Sequence, residues 1–329
     1  MIKRYLNADP IPWLIDGTDP AAVYLAKKEF CEECGHTEIY HELETSVLTG
    51  YFKSISTRNI LGDKKNPDLI NRGNVWFFLW AVECGYNSKT DFIRETSDFI
   101  SENFLTPDGG FSLSLKPRLP LACRTGDLVR AMLKAGINDE RTTFGLHWIS
   151  QHQRHDGGWL HCPFSGFCDV MKMFLIKHAG SGISREVDTS IPSCPVATLS
   201  CIRALSVSGI SAYIPRIETG AAFLLGSSAL SSTDRLLYCG LNLHPQKSGY
   251  PVMTQFDSIT ALMEIFNTTL WNDAKCAGLF NNIMKKQTAD GRWKLENNSR
   301  GMTPEGKGEN RLVTLNVMRL LKRLSEKES

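Results

Sequence analysis

Apolar residues recur at three- and four-residue steps along most of this chain, the spacing that places them on one face of an α-helix. From Asp127 to Ala135 the run Leu128, Val129, Ala131, Met132 and Leu133 is set against Arg130 and Lys134, and Gly136 stops it. The next stretch, Asp139 to Gln153, carries Phe144, Leu146, Trp148 and Ile149 on a polar background and ends in an Asp-Gly turn. One unit therefore reads helix, short turn, helix, turn. The same order is expected from Asp257 to Phe266 and Asp273 to Gln287, and from Asn74 to Cys84 and Asp91 to Phe104. Further helices are predicted over Pro195 to Ser208, Pro215 to Ser227 and Leu312 to Leu324, with an irregular one over Phe167 to Gly180. Gly180 to Cys194 and Asn297 to Asn310, punctuated by Gly and Pro, are expected to be loops.

The turns repeat in sequence as well as in place. Gln153-Arg154-His155-Asp156-Gly157-Gly158-Trp159 returns at identical spacing as Gln287-Thr288-Ala289-Asp290-Gly291-Arg292-Trp293, and a worn copy stands at Pro107-Asp108-Gly109-Gly110-Phe111. Fixed spacing marks the same joint of a recurring supersecondary unit. Each residue type has a structural role here. Gly accepts positive φ, Asp favours the reversal, the Gln amide satisfies backbone groups, and the indole packs between repeats. Gln153, Trp159, Gln287 and Trp293 are thus expected to be staples rather than catalysts.

Composition narrows the partners. With 37 basic and 35 acidic residues, a net charge of +2, the chain carries no field that argues for nucleic acid or an anionic membrane. No stretch reads as a signal core or a membrane span, so a cytoplasmic protein is expected. Its 10 cysteines are scattered through apolar helical patterns, and reduced thiols are expected. Phosphate loops, dinucleotide fingerprints, nucleophile elbows and His-Glu-x-x-His motifs are absent.

The repeated turn is similar to the QW signature of the squalene cyclase and protein prenyltransferase β-subunit superfamily. Asp9-Pro10-Ile11-Pro12-Trp13-Leu14, Cys123-Arg124-Thr125-Gly126-Asp127, Asp290 to Asn297, and Val313-Thr314-Leu315-Asn316-Val317 resemble segments of its single-domain prokaryotic members. The resemblance implies an all-α fold, an α/α toroid of about five to six repeats forming one domain over residues 1–329. In it, residues 1–60 supply N-terminal helices that close the ring and residues 61–329 the repeat helices. It also implies an apolar, isoprenoid-like ligand held in the central cavity by terpene-cyclase-like or prenyltransferase-like chemistry.

The superfamily's catalytic motifs do not accompany the scaffold. The Asp-x-Asp-Asp of class II cyclases is missing, and no clear Asp-x-Cys stands at an inner-helix start. The candidate acids are Asp257 first, then Asp127 and Asp169, each of which also reads as a helix cap. Asn74, Trp76, Thr125, Tyr250, Gln255 and Phe256 are the candidate substrate contacts; aromatic faces stabilise carbocations, and such stripes also build plain cores. Cys123, Cys168 and Cys194 precede inner helices, and with His161 they make a thiolate-imidazole set that would suit zinc. Inert packing thiols are the other reading. Cys31-Glu32-Glu33-Cys34 has the spacing of half a zinc knuckle, with no second pair. Two function classes stay open: an isoprenoid-binding enzyme, and a non-catalytic scaffold with a protein or peptide partner.

Overall fold

The computed structural model describes residues 2–32, 34–62, 73–112, 120–160, 192–230, 245–250, 256–298 and 308–328. Among them are thirteen α-helices: α1 (Ile11–Ile15), α2 (Pro20–Phe30), α3 (His36–Glu44), α4 (Val47–Gly62), α5 (Asn74–Glu83), α6 (Asp91–Phe104), α7 (Ala122–Lys134), α8 (Glu140–Gln151), α9 (Pro195–Ser208), α10 (Ile214–Gly226), α11 (Ser258–Ile265), α12 (Ala274–Met284) and α13 (Arg311–Lys327). The longest extended segments among the described residues are two-residue strands, Gly249–Tyr250 paired in parallel with Asn297–Asn298. No helix among these residues is long and apolar enough to cross a membrane.

The fold is an α/α toroid. Along its inner wall α5 packs on α7, α7 on α9, α9 on α11, α11 on α13, and α13 returns to α2. The circuit from α2 to α5 is completed where the Tyr24 ring lies against Gly85. Outside stand α1, α3, α4, α6, α8, α10 and α12. Burial follows this division: α6 hides only the stripe Phe92, Ile93, Thr96, Ser97, Ile100 and Phe104, whereas every residue of α9 from Pro195 to Leu205 is buried. Wall contacts are close, since a Cβ on Gly126 of α7 would stand 2.5 Å from the Ser200 carbonyl carbon of α9.

The three turn copies are built alike. Gly109, Gly157 and Gly291 all take positive φ, at 97°, 87° and 76°. In each, a Cβ would strike a carbonyl oxygen of the next unit: Phe144 at 2.4 Å, Thr219 at 2.5 Å and Ala8 at 2.0 Å. A side chain there would meet both a backbone penalty and a wall. The Gln153 amide donates to the Gly157, Arg216 and Thr219 oxygens at 2.8–2.9 Å, tying one outer helix to the next. Trp159 and Trp293, fully buried, each donate from the indole to a carbonyl of the preceding outer helix, Ile149 at 2.7 Å and Ile283 at 2.8 Å.

The third copy meets the N-terminal segment where the others meet an outer helix. Besides the Gly291 contact with Ala8, Asn7 donates its N–H to Gln287 Oε1 and its side-chain amide to the Thr288 carbonyl. Trp13 is held between the guanidinium groups of Arg292 and Arg311, 4.5 and 4.4 Å from its ring centroid. The ring therefore closes by the same joint that builds it.

Three expectations are corrected. Helix α7 begins at Ala122, not at Asp127, because the extended Leu121 serves as its N-cap; Cys123 thus lies inside the helix. Cys31 and Cys34 form a disulfide, against the expectation of reduced thiols throughout. Asn297–Asn298, expected in a loop, pairs as the short strand noted above. The helix expected over Phe167 to Gly180 lies outside the described residues.

Candidate functional site

Each of the six wall helices among the described residues sends a charged side chain into one connected network. Asp127, Arg130 and Lys134 fall at i, i+3 and i+7 and so share one face of α7. Glu83 at the end of α5 accepts from Arg130 and from Lys134, the latter at 3.1 Å. Arg203 of α9, Glu264 of α11 and Arg319 of α13 complete the field, and Arg319 is paired with Glu29 of α2 at 2.8 Å. Lys134 also feels the charge of Arg319, although α7 and α13 are not neighbours on the wall.

The acids Glu29, Glu83 and Glu264 stand in the last turns of α2, α5 and α11, and cations of the neighbouring wall helices answer them: Arg319, Arg130 with Lys134, and Arg203. Burial alone would push the Glu83 carboxyl up; Arg130, Lys134 and Arg203 outweigh it and hold the group well below the ordinary carboxylate range. Burial pushes the Lys134 ammonium down to about 8, against the pull of Glu83, with Arg130 and Arg319 adding to the depression. Lys134 nevertheless keeps 29% of its side chain exposed, so water reaches this end of the interior.

The two described candidate acids differ. Asp257 is the N-cap of α11, its carboxylate accepting the Thr260 N–H at 2.7 Å, which is the capping role. Asp127 caps nothing. It sits mid-helix, buried, 3.3 Å from Arg124, with a hydrogen bond to Ser200 of α9 and Arg203 close by. Burial raises both carboxyls; Arg124, Arg203 and Ser200 oppose the rise at Asp127, and the Thr260 and Gly249 hydrogen bonds oppose it at Asp257.

The other candidates disperse. Thr125 accepts the Phe111 N–H at 2.9 Å and returns its own proton to the Leu121 carbonyl, a joint rather than an open contact. Asn74 and Trp76 are buried in the first turn of α5, and Phe256 is buried just before the Asp257 cap. Phe77 and Trp80 belong to a cluster with Phe52, Tyr86 and Phe92 that faces the outer helices. Cys123 and Cys194 are buried thiols, with Cys201 close enough to Cys123 to feel its charge. Among the described residues no group of three or more His, Cys, Asp or Glu could hold a metal ion, so these thiols do not by themselves fit zinc. Asp169, Gln255, Cys168, His161 and the side chain of Tyr250 lie outside the described residues.

A cavity of about 900 Å³, mostly apolar, opens between the turn after α8, the start of α9 and helix α10. Pro195, Phe223 and Ala229 give it apolar walls, and Gln153, Asp156 and Ser193 a polar edge. Burial would raise the Asp156 carboxyl, but bonds from the Ser193 N–H and hydroxyl and the Gly158 N–H bring it below its ordinary value.

No family model matches the chain. No curated protein matches it either. Among solved structures, it is similar to a point variant of the type II terpene cyclase MstE from Scytonema bound to geranylgeranyl dihydroxybenzoate, with 13% identity and a TM-score of 0.46 over 93% of this chain and 87% of that one. The ligand-free MstE gives 13% and 0.46 over 94% and 88%. A protein from Actinoplanes gives 14% and 0.35 over 83% and 99%. The ring architecture rests on the packing of this chain's own helices, and its chemistry is read from its own side chains.

The charged interior was not foreseen from the sequence. Arg130 and Lys134 were visible as the polar positions of an amphipathic helix, which ordinarily face water. The signal available in the sequence is Glu83, Arg203, Glu264 and Arg319, charged residues in the second half of their predicted helices.

Proposed function

We propose that the protein binds an isoprenoid-type ligand and starts its conversion by protonating a carbon–carbon double bond from Asp127. The observation that carries this reading is a buried, mid-helix carboxyl kept toward its protonated form by burial, with Arg124 and Arg203 beside it. The proton passes to the alkene π pair, leaving a carboxylate that those guanidinium groups stabilise. Loss of a proton from the resulting carbocation, back to Asp127, restores the acid. Asp257 is assigned the cap and not the proton.

The apolar cavity supports the binding half of the proposal. Its volume suits a small-molecule ligand. The cavity and the acid share helix α9, whose Pro195 lines the one and whose Ser200 bonds the other. The test is product analysis with geranylgeranyl diphosphate, a geranylgeranyl arene and squalene, comparing the native chain with Asp127→Asn. Cyclised product that vanishes in a folded D127N is expected.

A non-catalytic scaffold is the second reading, favoured by the charged side chains in the C-terminal half of the ring interior. Absence of ligand uptake and of turnover in the folded native chain would select it.

A further inference from the structure

The Cys31–Cys34 disulfide takes no part in the site above. Cys31 is the C-cap of α2, and Cys34 stands immediately before Gly35, the N-cap of α3. Both are partly exposed. The other cysteines among the described residues, Cys84, Cys123, Cys194, Cys201 and Cys276, are all buried; burial pushes the Cys201 thiol well up and that of Cys276 to about 11. Reactive sulfur in the described part of the chain is therefore concentrated at Cys31 and Cys34.

Two further features separate this pair from a structural staple. A disulfide that closes so short a loop removes little entropy from the unfolded chain, so stability alone accounts poorly for it. Cys31 also borders a cleft of about 710 Å³, whose lining includes Lys3, Lys28 and Lys322 as well as Asp9, Glu29, Glu32 and Glu326, so a dithiol can approach the sulfur from solvent. That cleft lies on the seam of the ring. The two residues before Cys31 hold α13: Glu29 accepts from Arg319, and the Phe30 ring lies under the Lys322 ammonium at 5.8 Å.

We propose that Cys31–Cys34 is a thiol–disulfide exchange site, whose reduction by a dithiol releases the last turn of α2 from α13 and loosens the ring seam. One thiolate of the dithiol attacks a sulfur of the pair, forming a mixed disulfide and expelling the other cysteine as a thiolate. The second thiol of the dithiol then attacks the mixed disulfide and displaces the remaining cysteine. The dithiol leaves oxidised as its own disulfide, and two electrons and two protons finish on Cys31 and Cys34.

The test equilibrates the full-length chain in graded mixtures of reduced and oxidised dithiothreitol, followed by alkylation with peptide mass spectrometry and by amide hydrogen exchange. Expected are reversible interconversion of Cys31 and Cys34 while the buried thiols stay unmodified, and about tenfold faster exchange in the last turn of α2 and around Arg319 once the pair is reduced. The folded double variant C31S/C34S should exchange fast in either mixture. A pair that stays oxidised whenever the chain is folded overturns the proposal, and so does reduction that leaves seam exchange unchanged.

Discussion

The backbone N–H of Trp159 donates to the Thr198 hydroxyl at 3.1 Å, and that hydroxyl in turn donates to the Cys194 carbonyl at 2.9 Å. The same joint links Trp293 to Thr314 at 3.0 Å and Phe111 to Thr125 at 2.9 Å. In each case the threonine is the fourth residue of its wall helix. The turn between repeats is thereby fastened to the inner helix that follows it. Thr198→Val keeps the shape and leaves a buried N–H unpaired, so it should cost about 1–3 kcal/mol, whereas Thr198→Ser should cost less. Urea unfolding of the two variants measures the difference, and equal losses would argue against the hydrogen bond.

Closure of the ring predicts a contrast between two glycines with similar backbone angles. Gly209 has φ 66° and open space around a Cβ, so Gly209→Ala should cost only about 1 kcal/mol. Gly291 has φ 76°, and its added Cβ would stand 2.0 Å from the Ala8 carbonyl oxygen. Gly291→Ala should therefore cost about 3 kcal/mol or more and speed amide exchange at the N-terminal seam. Equal destabilisation by the two changes would deny the contact.

The depressed Lys134 ammonium has a definite pH signature. Its folded value of about 8 lies below the ordinary 10.5, so between these values the unfolded chain holds more protons than the folded one. This group then makes stability rise with pH across that window, having opposed folding below it. Unfolding free energies measured from about pH 7.5 to 10.5 should climb more in the native chain than in Lys134→Met. A parallel course in both would remove Lys134 from the interior network.

Cap and acid are separable at Asp257. Asn caps a helix about as well as Asp, so Asp257→Asn should be nearly neutral for stability, while Asp257→Ala should cost about 1–2 kcal/mol. Thermal unfolding of the pair checks this. If Asp257→Asn abolishes a turnover that the native chain displays, the proton donor is Asp257 and not Asp127.

Much of the architecture was legible because its signals are local. The one-sided apolar stripe of α6 gave Asp91 to Phe104, Pro195 gave the start of α9, and repeated glycines marked turns that the backbone makes with positive φ. The interior chemistry was not legible in the same way. A wall helix is covered on both faces, so its polar stripe is neutralised by other helices instead of water, and Arg130 in sequence looks like any solvated arginine. Asp127 read as a helix start because the polar run Arg124-Thr125-Gly126 masks the first turn of α7. Thr125 invited a ligand role because its partner, the Phe111 N–H, belongs to a turn fourteen residues away.

The most direct measurement of the proposed chemistry is conversion of geranylgeranyl and squalene substrates by the native chain and by Asp127→Asn, each verified as folded and each assayed for bound ligand by native mass spectrometry. Ligand on both proteins is expected, with cyclised product from the native chain alone and turnover reduced at least about a hundredfold in the variant. Unchanged turnover in D127N, or a folded native chain that takes up none of these ligands, would contradict a proton donor at Asp127 serving an isoprenoid site.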